Sequence, residues 1–372
     1  MDSQEKLEVL AEAGRYDLAC ACGTRDKDEH RQRDASGQTW LYPVTLASGG
    51  KGIMLKTLLS SACVGDCAYC PMRASEDRVR RCTLGADELA RLFLDYNRRR
   101  RLIGLFVSSG IIRDPDHTMT RLNAVAAILR RKYQYKGYIH LKVIPGASDA
   151  AIAEAVNLAS AVSINIETPG AEHCRTLSSR KSWHEDIMRP IELIHRLIRE
   201  SPRRRVRQTT QFIVGAAAET DREILGKTFE LYKRQRLERV YFSAYQRGAG
   251  REGIPGEASP DADILTREHR LYQSDFLIRQ YGFSETDLLY GADGKLSLAA
   301  DPKQCWADAN PGFFPLRVKK AERWQLLRVP GLGPVTVGRI LKARRETHIR
   351  GVEDLRLKGK RGVQAAAYLD FS

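Results

Sequence analysis

Short apolar runs alternate with longer amphipathic ones through most of the chain. The run over residues 52–60 is apolar and reads as a buried strand. After it, residues 86–98 carry Leu89, Leu92, Phe93 and Leu94 on one helical face. The alternation then repeats. Strands are predicted at residues 103–107, 138–144, 162–166, 209–214 and 239–244, and helices at 118–132, 149–160, 183–199, 220–234 and 267–281. Strands linked by helices of 12–16 residues define βα units around a parallel sheet. Six units match a partial (β/α)6 TIM-like barrel better than a doubly wound sheet. Ahead of them, residues 1–50 are polar apart from a helical pattern at residues 5–13. From about Gly291 the alternation stops. The expected layout is an N-terminal extension (1–50), a barrel (51–290), a connecting segment (291–315) and a small all-α domain (316–372).

Composition narrows the class. At 42% hydrophobic residues the chain can bury a core, so disorder is not the default. No apolar run reaches the roughly 18 residues that cross a bilayer. The polar start, Met1 to Lys6, has no apolar stretch behind it, and a cytoplasmic location is expected. The net charge of +15 favours an anionic partner, nucleic acid before a membrane surface. That charge is concentrated: residues 316–372 hold 14 Lys or Arg against 5 Asp or Glu.

Eight cysteines stand at 20, 22, 63, 67, 70, 82, 174 and 305, and in a cytosolic chain a disulfide framework is not expected. Cys63, Cys67 and Cys70 form C-x₃-C-x₂-C directly after the first strand. Three thiolates on one loop can hold three irons of a [4Fe–4S] cubane and leave the fourth open. The plainer alternative is a zinc site completed by His30 or Cys82.

This spacing, with Tyr69 before the last cysteine, resembles the signature of the radical S-adenosylmethionine (radical SAM) superfamily. The resemblance implies a [4Fe–4S] cluster, S-adenosyl-L-methionine (SAM) on its open iron, and a 5′-deoxyadenosyl radical that abstracts hydrogen from an inert position. It also implies an external electron donor such as flavodoxin or ferredoxin. Further positions carry over. Ser108, Ser109 and Gly110 end strand two, where the superfamily offers backbone groups to the methionyl amine; many members have Gly-Gly-Glu there, so backbone positions transfer and a carboxylate does not. Asn165 and Glu167 alternate on strand four, suited to ribose hydroxyls or simply to a wet strand face. Ile213, Val214 and Gly215 resemble the strand-five motif near the adenine. Glu219 reads better as an acid at a helix N-terminus.

The basic C-terminal segment has its own logic. A helix ends at Pro330-Gly331-Leu332-Gly333, and a second begins at Pro334, where proline suits the first turn. Glycines permit a tight hairpin whose amides attract phosphate. This resembles the helix–hairpin–helix DNA-binding motif, with Lys342, Arg344 and Arg345 on the second helix. A weaker second half falls at residues 351–362, where Lys358, Lys360 and Arg361 flank glycines. The plainer alternative is a hairpin packed against the barrel or a protein.

Taken whole, the chain resembles radical SAM proteins grouped as DNA modification or repair proteins with a C-terminal helix–hairpin–helix. The resemblance runs from residues 5–7 and 15–17 through residues 104–110, 137–146, 214–221 and 267–272 to the final hairpin. It implies an enzyme acting on nucleic acid, DNA preferred and RNA possible, at a single-stranded, flipped or damaged nucleotide. A tRNA- or rRNA-modifying enzyme, and a nucleic-acid-binding scaffold with a structural cluster, are the alternatives. Candidate hydrogen donors or substrate contacts are Cys82, Tyr245, His140 and Lys142, each also readable as core or cavity wall. Cys20 and Cys22 are a C-x-C pair with a relay, metal or incidental role. Arg98 to Arg101 suit a helix C-terminus, and residues 203–207 a basic loop.

Overall fold

The computed structural model describes residues 1–14, 40–45, 50–201, 205–259, 263–347, 349–355 and 359–372. Cys20, Cys22, His30, the 15–17 motif, Arg203, Arg204 and Lys358 lie outside the described residues, as do the side chains of Lys360 and Arg361.

Two compact units emerge. The first comprises residues 1–219 and 230–265, the second residues 220–229 and 266–372. In the first, helix α1 (Ser3–Gly14) precedes β1 (Leu41–Thr45) and β2 (Lys51–Leu58). The chain then alternates through α2 (Ala86–Arg100), β3 (Gly104–Ser108), α3 (Pro115–Ala127), β4 (Tyr138–Lys142), α4 (Asp149–Leu158) and β5 (Ala161–Ser163). Next come α5 (Ala171–Leu177), α6 (Arg189–Glu200), β6 (Arg207–Val214), α7 (Asp221–Arg234), β7 (Arg239–Ala244) and α8 (Pro255–Ala258), with α9 (Ile264–Tyr281) following; residues 221–229 of α7 and 266–281 of α9 belong to the second unit.

Six strands, β2 to β7, pair in parallel in chain order. A seventh, β1, adds antiparallel to β2, which the sequence reading did not include. β1 and β7 are the two ends of the order, so the curled sheet is an open half-barrel. Alternation decides which face is buried. Leu105, Val107, Ile139, Leu141, Val162, Phe212, Val214, Val240 and Phe242 have no exposure at all. These are the apolar positions that made the strands legible, and they form the convex face. α2, α3, α4 and α6 pack side by side as crossover helices do. The alternate positions make a concave face that is polar and partly accessible.

In the second unit, α10 (Pro302–Ala309), β8 (Leu316–Arg317), α11 (Arg323–Arg328), α12 (Pro334–Glu346), α13 (Lys360–Ala366) and β9 (Leu369–Asp370) follow α9. β8 and β9 pair in parallel, so this region is not all-α as expected. Two-residue strands leave no periodic trace, which is why the sequence reading missed them. Leu316, Val318, Leu326, Val329, Leu332, Val337, Ile340 and Leu369 form its core.

Candidate functional site

The cysteine loop leaves β2 at its C-terminal end. Arg81 holds the loop from beneath: its guanidinium donates to the carbonyls of Ser61 (2.7 Å), Met72 (2.8 Å), Arg73 (2.9 Å) and Glu76. Arg73 adds bonds to the carbonyls of Cys70 and Ala249, both at 3.0 Å, and an ion pair with Glu76 at 2.7 Å. From the other side, the Asp66 carboxylate accepts from Ser178 Oγ, Ser179 N and Ser179 Oγ.

Cys63, Cys67 and Cys70 line one cavity at this end of the half-barrel. Cys63 Sγ accepts from the amides of Gly65 and Ile111, each at 3.3 Å, and Cys70 Sγ from that of Met72 at 3.4 Å. Burial, then the neighbouring Cys67, pushes the Cys70 thiol up to about 12. Three adjacent thiolates are therefore costly unless positive charge joins them, as iron does. Among the described residues no three His, Cys, Asp or Glu side chains are gathered for a single metal ion; a cubane spreads three thiols over three irons. Cys82, the alternative zinc ligand, lies away from the cavity lining, with its thiol directed to the Lys6 carbonyl at 3.6 Å. The donor chemistry fits an iron–sulfur cluster.

The same cavity gathers other predicted residues. Tyr69, Ser108, Ser109, Gly110, Lys142, Asn165, Glu167, Ile213 and Tyr245 all line it. Gly110 is required by close approach: a Cβ there would stand 2.4 Å from the Ala62 carbonyl oxygen. Glu167 sits in the left-handed region at φ 63, a conformation that costs free energy for a non-glycine residue. Its backbone bridges to β6, donating to the Gln211 carbonyl and accepting from the Ile213 amide. Its carboxylate accepts from Tyr69 Oη at 2.9 Å and Asn165 Nδ2 at 3.4 Å. Burial, with the Cys67 and Glu167 charges beside it, holds the Tyr69 hydroxyl far above its ordinary value, so it is a donor.

Other predicted residues stand elsewhere. Val214 is buried on the convex face, and neither it nor Gly215 lines the cavity. Val214 alternates away from Ile213, so only every second residue of that motif can face inward. His140 also lies outside the lining, bonded through Nε2 to Ser163 Oγ at 2.9 Å. Glu219 is buried and braces the turn after β6, accepting from the amides of Gly215 (2.5 Å) and Ala217 (3.1 Å). It is thus more than the helix-end acid expected. Tyr245 donates to Glu257.

Four polar lining residues escaped the sequence reading: Lys181, Gln211, Ser243 and Gln246. Gln211 and Ser243 follow the alternation that flagged Asn165 and Glu167, and that signal would have found them. Lys181 follows α5, a seven-residue helix the apolar pattern does not mark. Burial opposes its charge, but Cys67 and Glu167 outweigh burial and hold the ammonium above its ordinary value.

In the second unit, α11 and α12 are joined by a tight turn at residues 329–333, as expected. Gly331 has φ 82, and Pro334 opens α12. Pro330 and Leu332 point into the core, so only backbone faces outward there. The Leu332 carbonyl accepts from the buried Lys303 ammonium at 2.6 Å. Lys342 and Arg345 are exposed. Arg344 is not available in the way expected: its guanidinium donates to the Ala321 carbonyl at 2.6 Å. The hydrophobic pattern put Arg344 beside Arg345, but helical rotation turns it toward β8 and the start of α11.

Comparison with known proteins fits this geometry. Residues 57–226 match the Radical SAM superfamily, a segment running from β2 into α7. Residues 57–226 thus form a domain of that superfamily. Its cofactors are a [4Fe–4S] cluster and SAM. No curated protein matches it in sequence. Solved structures with similar parts include methylornithine synthase (PylB), at 14% identity and TM-score 0.45, over 60% of this chain and 61% of that one. The FeFe-hydrogenase maturase HydG from Carboxydothermus hydrogenoformans has 14% identity and TM-score 0.46, over 60% and 51%. A radical SAM methyltransferase from Sphaerobacter thermophilus has 14% identity and TM-score 0.42, over 63% and 75%. The match spans only about half to three fifths of the first two, and at these scores the likenesses carry no argument about substrate. Among the described residues no helix is long and apolar enough to cross a membrane.

Proposed function

We propose that this enzyme acts on nucleic acid, preferentially DNA, to modify or repair a base or sugar. The observation that carries the reading is the turn between α11 and α12. It combines a glycine-shaped backbone, a 13-residue helix opening at Pro334, and exposed Lys342 and Arg345. The first amides of a helix lack intrahelical partners and attract phosphate. Contacts of this kind grip the backbone without reading sequence.

In this reading Cys63, Cys67 and Cys70 hold the cluster. Ser108, Ser109 and Gly110 offer backbone groups to the methionyl end of SAM, Asn165 and Glu167 meet the ribose, and Ile213 flanks the adenine. When bound, the cluster and SAM supply a 5′-deoxyadenosyl radical. Tyr69 fixes the Glu167 carboxylate, and Lys142 and Tyr245 border the space left for substrate. The target nucleotide must be single-stranded, flipped or damaged to enter. Flavodoxin or ferredoxin serves as reductant, and the enzyme works in the cytoplasm.

Anaerobic turnover with deuterated oligonucleotides tests this. Deuterium in 5′-deoxyadenosine from DNA supports the reading, and deuterium only from RNA transfers it to RNA modification. Formation of 5′-deoxyadenosine without deuterium from either polymer sinks it.

A further inference from the structure

The chain has four tryptophans. Trp40, Trp183 and Trp306 are 2%, 7% and 8% exposed, whereas Trp324 is 50% exposed. Leaving half of so large an apolar ring in water forgoes burial that the other three gain. The ring is nevertheless held. Trp324 is the second residue of α11, and Leu326 and Leu327 of the same helix are buried in the core of the second unit. The indole N–H donates to Glu322 Oε2 at 3.1 Å. Phe313 packs beside the ring, with centroids 5.8 Å apart and planes tilted by 51°. Phe313 in turn meets Trp306 and Phe314, each at 5.2 Å, so the exposed ring ends an aromatic stack that runs into the interior. The backbone just ahead is fixed by Arg344 of α12, which donates to the Ala321 carbonyl at 2.6 Å. A ring held this way loses little freedom on binding.

The surroundings of this ring are cationic. Arg317, Lys319, Lys320 and Arg323 are all exposed in the stretch that leads into it. Against them stand two acids. Glu322 takes the indole N–H, and Asp370 of β9 pairs with Arg317 at 3.7 Å.

A fixed, half-exposed indole among cations fits a flat ring attached to negative charge, and an unpaired base with its phosphates is such a ligand. A protein partner would meet an interface core poor in charge. A membrane surface needs a longer apolar face than one ring on a six-residue helix whose leucines are already buried. Duplex DNA keeps its bases inside the stack, with no free face for the indole.

We propose that Trp324 is a stacking platform for one unpaired base of a single-stranded nucleic acid, with Lys319, Lys320 and Arg323 beside its phosphates. This rests on the reading of the enzyme as acting on nucleic acid, and adds that the second unit holds an unpaired strand. The α11–α12 turn grips backbone of any kind; Trp324 distinguishes a single strand from a duplex.

The test uses the cluster-loaded full chain, its tryptophan emission, and single-stranded and duplex oligonucleotides of DNA and RNA. The other three tryptophans are buried, so acrylamide reaches Trp324 first. A bound single strand should quench that emission and shield it from acrylamide. Trp324→Leu should weaken single-strand binding about tenfold and leave duplex binding unchanged, and Trp324→Phe should restore most of the loss. Lys320→Gln and Arg323→Gln should each lower the slope of log affinity against log salt for single strands by about 0.7. Iron content and melting temperature like those of wild type exclude misfolding. If Trp324→Leu fails that check, the two charge variants and acrylamide shielding in the wild-type chain decide. Equal loss of duplex and single-strand affinity in Trp324→Leu overturns base stacking. Oligonucleotide binding with emission and acrylamide access unchanged, and with all variants like wild type, overturns the platform while leaving the α11–α12 turn as the nucleic-acid contact. No binding of either polymer overturns the underlying reading as well, and quenching by vesicles of anionic lipid would then assign the patch to a membrane surface.

Discussion

The Tyr69 hydroxyl donates to Glu167 Oε1 at 2.9 Å, tying the cysteine loop to the end of β5 across 98 residues of chain. Glu167 is buried and has a strained backbone, and Tyr69 is half-buried against it, so the contact fixes two parts of the cofactor site at once. Tyr69→Phe removes the donor and leaves a buried carboxylate short of one partner, a loss of about 1–3 kcal/mol. The expected outcome is SAM binding weakened about tenfold with iron content retained, read by equilibrium dialysis and iron assay. Unchanged SAM affinity would show that Glu167 does not depend on Tyr69.

The cysteines make a sharper division. Replacing Cys63, Cys67 or Cys70 with Ala should abolish both the bound iron and 5′-deoxyadenosine formation. Cys82→Ala should keep both, because its thiol points to the Lys6 carbonyl rather than into the cavity. Its cost should be that of a small packing loss, on the order of 1 kcal/mol. Iron loss in Cys82→Ala would reinstate a four-ligand metal site.

How much of this was visible beforehand depends on the element. The strands β2 to β7 were legible because most of their convex positions are apolar and regularly spaced. β1 was not: Leu41, Tyr42, Pro43, Val44 and Thr45 mix apolar and turn-forming residues, and the strand exists because β2 offers its edge. α5 is too short for a period; Ile128–Lys132 and Trp183–Met188 fall within helices the pattern predicted, but are π-helical. The cysteines and the polar pair Asn165 and Glu167, which the structure places just after β5, were legible because side-chain chemistry and alternation mark them. Lys181, Arg81 and Arg344 were not, since each is placed by tertiary contacts that no local pattern encodes.

Arg81 illustrates that point as a prediction. One guanidinium satisfies four carbonyls of the loop carrying Met72, Arg73 and Glu76. An ammonium keeps the charge but not the planar fork, so lysine cannot reach all four. Arg81→Lys should lower stability by about 2–4 kcal/mol and accelerate loss of the cluster. Absorbance of the cluster followed under air, beside thermal melting, reads both. A variant that bleaches at the wild-type rate would mean the loop is held by Arg73 and Asp66 alone.

Arg344 and Arg345 are adjacent in sequence and differ in task. Arg344 donates to the Ala321 carbonyl, while Arg345 faces water. Arg345→Gln should leave the melting temperature unchanged and reduce the salt slope of oligonucleotide binding by about 0.7–0.9. Arg344→Gln should destabilise by about 1–3 kcal/mol. Equal effects of the two changes on both readouts would contradict the assignment.

Lys303 gives the second unit a pH dependence of defined sign. It is nearly enclosed, with its ammonium donating to the Leu332 carbonyl at 2.6 Å and lying 4.7 Å from the Tyr281 ring centroid. Burial is the main reason its pKa falls to about 7; Asp301 pulls the other way and Arg328 adds to the fall. The unfolded chain keeps an ordinary lysine, near 10.4. Between about 7 and that value the unfolded state binds more protons, so unfolding free energy rises with pH. Below about 7 both states are protonated and the cost of the buried charge is present in full. Lys303→Met removes the titrating group and keeps much of the apolar stem. Urea midpoints of the full chain, taken from below pH 7 to above pH 9, should climb relative to Lys303→Met as pH rises. Parallel curves would mean that Lys303 keeps its proton in the fold as easily as in water.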